Sequence, residues 1–181
     1  MANADRPKGA VAVRSLDGGT AIPVNPYAVD ASNSTAIFLG DFVSREADGN
    51  IAPAAAAGVI LGAAVGVADD YDNLTRRYLP ASTAGTVYVA DDPDLIFEVQ
   101  EDDGGTALTA AARGANTEIV AGAGSTTTSI SAHELNQDGV TSAAAQLRLI
   151  RLVPRENNAY GDNADWEVRI NEHAYRTAAG V

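Results

Sequence analysis

The stretch YVADDPDLIFEVQEDDGG (residues 88–105) decides the fold class, because it contains one clean alternation of apolar and polar side chains. Successive side chains of a β-strand point to opposite faces of the sheet. Leu95, Phe97 and Val99 would therefore share one face, and Glu98 would point to the other. The alternation predicts a half-buried strand.

Seven acidic residues lie within this stretch, and they raise the alternative of a catalytic or metal-binding site. Six of them form two clusters, at 91–94 and 101–103, one at each end of the strand, and the seventh is Glu98. At the rise of an extended strand the clusters lie about 20 Å apart, whereas a catalytic carboxylate pair needs about 5–10 Å. The stretch also lacks the central glycine of a helix-loop-helix calcium loop. We interpret the clusters as turn carboxylates, with a weak cation site at either end as the alternative.

Further short strands are predicted on both sides of this stretch, separated by turns rich in Gly, Asp, Asn and Ser. The segments are 35–44, 58–67, 85–92, 118–122, 126–135, 145–153 and 165–173. About eight or nine short strands favour an all-β fold, a β-barrel or β-sandwich, over an α/β fold. One short helix is expected over 106–116, capped by Thr106 and ended by Gly114, and GAGST (122–126) is expected to be a hairpin turn.

Residues 1–33 are predicted to be an extended arm, and residues 34–181 a β-rich body that could divide into two small subdomains near residue 105. The arm contains three prolines and little periodicity, and proline disfavours helix at the preceding residue. A disordered tail is one interpretation. An arm that orders on a partner or on a neighbouring subunit is the other, because Ile22, Val24 and Tyr27 would gain nothing in a solvated tail.

Composition excludes several classes of function. The net charge is −12, and the only basic residue between Tyr78 and Leu147 is Arg113. An acidic middle argues against nucleic-acid binding, which needs Lys and Arg at phosphates. No apolar run approaches the roughly 20 residues that span a bilayer, and no secretion signal is seen. With no cysteine, we expect a soluble protein folded in a reducing cytoplasm.

The search for catalytic, cofactor-binding or metal-binding residues returns none, and the chain is predicted not to be an enzyme. Only His133 and His173 could supply imidazole. Each has an adjacent glutamate, but neighbouring residues in a strand face opposite ways. Both histidines are therefore expected to be polar surface residues.

Arg148, Arg151 and Arg155 lie on or just after the strand QLRLIRLVPR (146–155). Arg148 and Arg151 are three residues apart, so they would face opposite sides of a regular strand. Arginine in such a strand suits an interface with carboxylates. Two uses stay open, a possible interface with another chain and pairing within this one.

Several phrases resemble structural proteins of tailed bacteriophages, and more narrowly the cement or decoration proteins on the outside of the phage head. They are MANADRPKGAVAVR (1–14), NPYAV (25–29), IFLGDFV (37–43), VYVADDPDLIFEVQED (87–102), LRLIRLVPRENN (147–158) and WEVRINEH (166–173). The resemblance runs over most of the chain, and these phrases contain no catalytic motif.

The resemblance implies a β-rich, non-enzymatic virion protein without a cofactor, and a homotrimer. Such a protein binds the capsid exterior where major capsid protein subunits meet, and stabilises the expanded head. The host cytoplasm would be the place of synthesis, and the outer capsid surface the final location. On this reading the arm contacts the capsid or a neighbouring subunit, and Trp166 and Phe97 anchor the core. The expected arm contacts are Arg6, Lys8, Arg14, Ile22, Val24 and Tyr27.

Two other functions remain as alternatives. A tail or baseplate component would also be β-rich and oligomeric. A virion carbohydrate-binding module is the weaker alternative, because the chain has one Trp, six Tyr and three Phe, mostly within strand patterns.

Overall fold

The computed structural model describes residues 3–68, 70 and 73–176, and the expected all-β class is confirmed. The ends of the expected arm and body, residues 1–2 and 177–181, lie outside the described residues. The described ranges contain twelve strands and one short 3-10 turn. The strands are β1 Val11–Ser15, β2 Asn25–Val29, β3 Phe42–Arg45, β4 Ile51–Pro53, β5 Gly62–Val67, β6 Gly85–Ala90, β7 Leu95–Gln100, β8 Asn116–Thr117, β9 Ile119–Ser125, β10 Ile130–Leu135, β11 Leu147–Leu152 and β12 Asp165–Ile170.

The first sheet is antiparallel with the order β1-β7-β12-β11-β8, so the decisive stretch lies next to its edge strand. Phe97 of β7 is opposite Ala12 of β1 and Val168 of β12. Phe97, Val168 and Trp166 are fully buried in one core cluster. Glu98 is opposite Glu167 on the other face, so the alternation predicted for 95–99 is confirmed. The expectation of a half-buried strand is wrong, because Ile96 and Gln100 on that other face are buried as well.

The second sheet is antiparallel with the order β2-β6-β5-β3-β4, and its edge strands β2 and β4 approach each other. The sheet therefore curls, and its inner side chains form a second core cluster that includes Val43, Leu61 and Val87. Its outer face contributes Phe42, along with small residues, to the first core cluster. This sheet is buried on both faces along much of its length, which suits its content of Ala, Gly and Val.

Strands β9 and β10 form a separate two-stranded antiparallel sheet. The prediction of a turn at 122–126 is wrong, because residues 122–125 lie within β9 and the chain turns at 126–129. Gly122 and Gly124 occur in the strand because other groups pass close to them. A Cβ atom on Gly122 would lie 2.3 Å from the carbonyl oxygen of Ala132, and one on Gly124 would lie 2.4 Å from the Phe38 ring.

The helix expected over 106–116 is a single 3-10 turn, Ala110–Ala112. Its cap is Thr109, whose hydroxyl oxygen accepts from the backbone N–H of Ala111, and not Thr106. Gly114 has φ +81° and its N–H donates to the carbonyl of Leu149 at 2.8 Å. The chain therefore leaves the turn early to join β11, and non-local pairing overrides the local helical tendency.

Residues 1–33 were expected to be an arm, and the structure places two strands there. β1 pairs with β7 in the first sheet, and β2 pairs with β6 in the second. Sheet membership changes between β6 and β7, upstream of residue 105, and the first core cluster draws side chains from all three sheets. The division into subdomains stays a prediction.

Candidate interaction surface

An apolar groove opens where the segment before β2 passes over β1, β5 and β10. Its volume is about 450 Å³. The lining residues are Lys8, Ala10, Val11, Ala12, Ile22, Val24, Leu39, Gly40, Ala64, Val65 and Ile130. Lys8 is the one charged residue among them, and no acidic residue of the described part of the chain lines the groove. Val11, Val24, Val65 and Ile130 are each about 40% exposed. Soluble proteins seldom leave several such side chains together in water without a partner.

A β-bulge produces one of these exposed side chains. β5 carries one extra residue, Val65, between Ala64 and Gly66, which pair with consecutive residues of β6. A bulge breaks the alternation and redirects a side chain. Val65 is 40% exposed, although Ala63 and Ala64 before it are buried. The apolar lining therefore depends on sheet geometry as well as on composition.

A slightly larger cavity, about 510 Å³, lies between the end of β5 and residues 78–86. Its lining mixes polar and apolar groups and includes Asp70 and Arg76, which form an ion pair. Because the charged side chains that line this cavity are paired with each other, the apolar groove is the better candidate for contact with another protein.

The structure brings Lys8, Ile22 and Val24, three of the expected arm contacts, together in the groove. The other three lie elsewhere and make contacts within the chain. The backbone N–H of Arg6 donates to Gln100 Oε1 at 2.8 Å. Arg14 forms an ion pair with Glu167. The hydroxyl of Tyr27 bonds to Asp91 and to the hydroxyl of Tyr175. Capsid or inter-subunit contact by these residues stays a prediction.

Arg148 and Arg151 share one face of β11, and the expectation that they face opposite sides is wrong. The extra residue Ile150 forms a bulge, so that Arg148 is opposite Arg169 and Arg151 is opposite Glu167 on β12. Residues 167 and 169 are two apart and therefore point the same way.

These arginines also have partners within the chain. Arg148 Nε donates to Asn116 Oδ1 at 3.0 Å, and Arg151 bonds to Glu167 through two nitrogens. Arg155 pairs with Glu98 at 2.6 Å. Pairing within the chain, the second use left open by the sequence, is present for all three arginines. Their use at an interface stays a prediction.

Two glutamates on the outer face of the first sheet each form ion pairs with two basic side chains. Glu98 pairs with Lys8 and Arg155, and Glu167 pairs with Arg14 and Arg151. Burial raises the pKa of Glu98, but its hydrogen bonds and charge attraction to Lys8 and then Arg155 outweigh burial and hold the pKa below its usual value. The same balance lowers the pKa of Glu167. These ion pairs fasten the segment around β1 to the sheet.

The acidic clusters at the ends of β7 are not all solvated turn carboxylates, since Asp91 and Glu101 are buried. Asp91 accepts hydrogen bonds from Asn25 and Tyr27. Glu101 is fully buried and accepts from the indole Nε1 of Trp166 at 2.7 Å. The sequence offered no signal for this, because burial of an acid at a strand end depends on what packs over it.

The prediction that both histidines are surface residues is also wrong. His133 is 3% exposed, and its Nδ1 accepts from the backbone N–H of Phe42 at 3.2 Å. His133 Nε2 lies 3.6 Å from Asp41 Oδ1, and Ser131 Oγ accepts from the backbone N–H of His133. Burial lowers the pKa of His133 and raises that of Asp41.

Ser131, His133 and Asp41 therefore stand together, but each is at most 3% exposed. A substrate cannot reach a nucleophile with no exposed surface, so the cluster serves packing. His173 is fully buried as well, and its Nδ1 accepts from the backbone N–H of Tyr175.

Within residues 3–68, 70 and 73–176, no group of three or more His, Cys, Asp or Glu side chains could hold a metal ion. In the same part of the chain, no helix is long and apolar enough to cross a membrane.

Comparison of the chain with models of known protein families, with curated proteins and with solved structures found no match. The description of the fold and of the groove therefore rests on the geometry of this structure alone.

Sequence reasoning missed Val11, Leu39, Val65 and Ile130 as groove residues. Each is an ordinary strand or near-strand apolar residue in the sequence, and only the packing of sheets around it determines whether it faces the core or solvent. The poor periodicity around Ile22 and Val24 was the one usable signal.

Proposed function

We propose that this chain is a non-enzymatic virion structural protein, a cement or decoration protein of a tailed phage. It binds the capsid exterior at junctions between major capsid protein subunits, associates with itself as a homotrimer, and stabilises the expanded head. The resemblance of six phrases along the chain supports the phage assignment. The apolar groove is the structural observation that supports a role in protein contact.

The groove suits a protein partner because its lining is apolar and carries little charge. In a chain of net charge −12, a patch with four half-exposed aliphatic side chains and, among the residues that the structure describes, no acidic lining is a place where another chain approaches without charge repulsion. Its occupant is an extended apolar segment of the major capsid protein. Burying aliphatic surface would supply roughly 25 cal/mol per Å² before the cost of association is subtracted.

Stabilisation of the head would follow from mass action. A protein that binds only the expanded shell lowers the free energy of that shell by an amount that grows with its free concentration. Several modest contacts on a trimer add through multivalency, since the second and third contacts form at a high effective concentration.

The test is a binding assay on expanded capsids that lack the protein, with the number of bound copies measured by sedimentation and electron microscopy. The Val65→Asp variant places a carboxylate in the groove, and we expect it to lose at least tenfold in affinity. Val59→Asp is the matched control, because Val59 is 38% exposed and lies outside the groove, against 40% for Val65.

Equal binding by the two variants would reject the groove as the contact surface. Binding of the unmodified protein to tails or baseplates instead of heads would favour the tail alternative, and no binding to any phage particle would reject the proposed function. Deletion of residues 1–27 is a poorer test, since it removes β1 and half of β2.

A further inference from the structure

Glu101, at the end of β7, is an acid in an unusual environment. Its side chain is fully buried, Oε2 accepts one hydrogen bond from Trp166, and Oε1 has no hydrogen-bond partner of ordinary geometry in the described residues. A buried carboxylate needs several donors or a countercharge to remain ionised. The indole N–H of Trp166, with a weaker hydrogen bond from the backbone of Leu108, suits the neutral acid better than the anion.

The acidic side chains around Glu101 disfavour a negative charge on its carboxyl group. Asp102 and Asp162 act on Glu101, and Asp102 with Asp5 and Asp103 acts on Glu134. No basic group is among the causes that shift the pKa of Glu101. Arg113 donates to the hydroxyl of Tyr160, whose ring packs on Trp166.

The pKa of Glu101 is raised to about 7, and burial is the largest cause. The charges of Asp162 and Asp102 also raise this pKa, and hydrogen bonds from Trp166 and the backbone of Leu108 lower it. Burial together with acidic neighbours also raises the pKa of Glu134 to about 7.

The backbone around Glu101 connects all three elements that meet here. Glu101 forms a bridge with Leu135 of β10, and its N–H donates to the carbonyl of Ala164, just before β12, at 2.8 Å. The N–H of Asp102 donates to the carbonyl of Leu135 at 3.0 Å, and the N–H of Gln137 donates to Asp102 Oδ1. The carboxyl therefore lies at the junction between the first sheet and the β9–β10 hairpin.

We propose that Glu101 and Trp166 form a proton-controlled joint, which holds the β9–β10 hairpin against the first sheet when Glu101 is protonated and loosens when Glu101 ionises. Ionisation places an anion in a buried site among other acids, and the site relaxes by admitting water at the bridge between Glu101 and Leu135. The joint is independent of which partner the groove binds.

The direction of the pH effect follows from proton binding. The pKa of Glu101 is higher in the folded state than in the unfolded chain, so the folded state binds more protons in the interval between the two values. The contribution of Glu101 to stability is therefore full below about pH 4.5 and is lost as the pH rises toward 7 and beyond.

Trp166 provides a direct readout, because it is the only tryptophan in the chain and it touches the titrating carboxyl. The experiment records Trp166 emission of the full chain from pH 5 to pH 9, beside hydrogen exchange of the Asp102 and Gln137 amides. We expect one fluorescence transition near pH 7, and amide exchange, corrected for intrinsic base catalysis, that rises about tenfold across it, the equivalent of one pKa unit.

The Glu101→Gln variant keeps an acceptor for the indole and cannot ionise, so its emission should not change over this range. The Glu134→Gln variant is the matched control, since it removes a neighbouring acid and keeps the contact to Trp166; its transition should remain. A carboxyl-carbon NMR titration of Glu101 in the unmodified protein serves if Glu101→Gln does not fold.

The proposal is overturned by flat emission in the unmodified protein, by an unchanged transition in Glu101→Gln, or by a Glu101 carboxyl that titrates near pH 4.5. A transition without faster amide exchange would also reject the joint, since the titration would then leave the hairpin contact intact. None of these results depends on capsid binding, so the proposed function is tested separately.

Discussion

Gly9 and Gly40 cross so closely that a Cβ atom on Gly9 would lie 2.3 Å from the carbonyl oxygen of Gly40. The N–H of Ala10 donates to that same oxygen at 2.8 Å, and the N–H of Gly40 donates to the carbonyl of Ala64 at 2.7 Å. Both glycines have positive φ, +68° and +91°. The crossing connects the segment before β1 to the loop before β3 and to β5, and it forms the floor of the apolar groove.

Gly40→Ala should destabilise the fold by about 2–4 kcal/mol, the sum of left-handed backbone strain and overpacking. Its Cβ atom would lie 2.4 Å from the carbonyl oxygen of Lys8, a backbone atom that cannot move aside cheaply. Gly49→Ala is the matched control, because Gly49 has the same φ of +91° and open space around the added atom. Urea unfolding followed by Trp166 emission measures both. Equal losses would mean that the close crossing contributes nothing.

Leu95→Ala should cost about 2–5 kcal/mol, the range for deleting a buried leucine side chain and leaving a cavity. Leu95 is the first residue of β7 and is fully buried in the first core cluster. Leu74→Ala removes the same atoms from a side chain that is 73% exposed, and should change stability by less than about 0.5 kcal/mol. Denaturant midpoints at constant m-value compare the two. A small loss for Leu95→Ala would contradict the assignment of β7 to the core.

Glu98→Gln should lower the unfolding free energy by about 1–2 kcal/mol at neutral pH, because Lys8 and Arg155 lose their shared charged acceptor. The loss should shrink in high salt, where partly exposed charges are screened. The exposed Glu156 provides the control variant, Glu156→Gln.

The pH dependence of the Glu98 contribution has a definite sign. Since the folded-state pKa of Glu98 lies below its usual 4.5, its contribution is full above about pH 4.5 and is lost as the pH falls through the folded value. The stability difference between the unmodified protein and Glu98→Gln should therefore be constant above about pH 4.5 and shrink as the pH falls below it. A difference that grows above pH 6 would contradict the ion-pair assignment.

Tyr27→Phe should cost about 1–2 kcal/mol, because the hydroxyl bonds to buried Asp91 and to Tyr175. Burial, followed by the neighbouring Asp91, raises the pKa of Tyr27, as expected for a phenol that donates to a carboxylate. Tyr88→Phe on β6 is the control, since Tyr88 is 40% exposed. Thermal unfolding compares the variants, and equal melting temperatures would show that the Tyr27 hydroxyl does not hold β2 to the C-terminal segment.

The sequence predicted the strands whose patterns are local. The alternation at 95–99 corresponds to β7, in which Leu95, Phe97 and Val99 face the first core cluster. Ile22 and Val24 were expected to contact something rather than trail in solvent, and they line the groove. The partner of that groove was not readable from the pattern and remains a proposal.

Errors arose where one residue shifts a register or where packing covers a polar group. The bulge at Ile150 placed Arg148 and Arg151 on one face, against a rule that assumes unbroken alternation. Buried His133 and Glu101 were assigned to the surface, because the type of a residue does not reveal whether a second sheet lies over it. The helix predicted over 106–116 is only one 3-10 turn, because the N–H of Gly114 donates to the carbonyl of Leu149 on β11.

The sequence by itself determined the class of this protein, an all-β chain with a core around Leu95, Phe97 and Trp166, since side-chain alternation is a property of neighbours along the strand. Tertiary structure decided that the strands at 11–15 and 25–29 become edge strands of two different sheets. It also decided where the groove opens and which acidic side chains are buried. Those outcomes depend on contacts between residues tens of positions apart, whose free energies no local pattern contains.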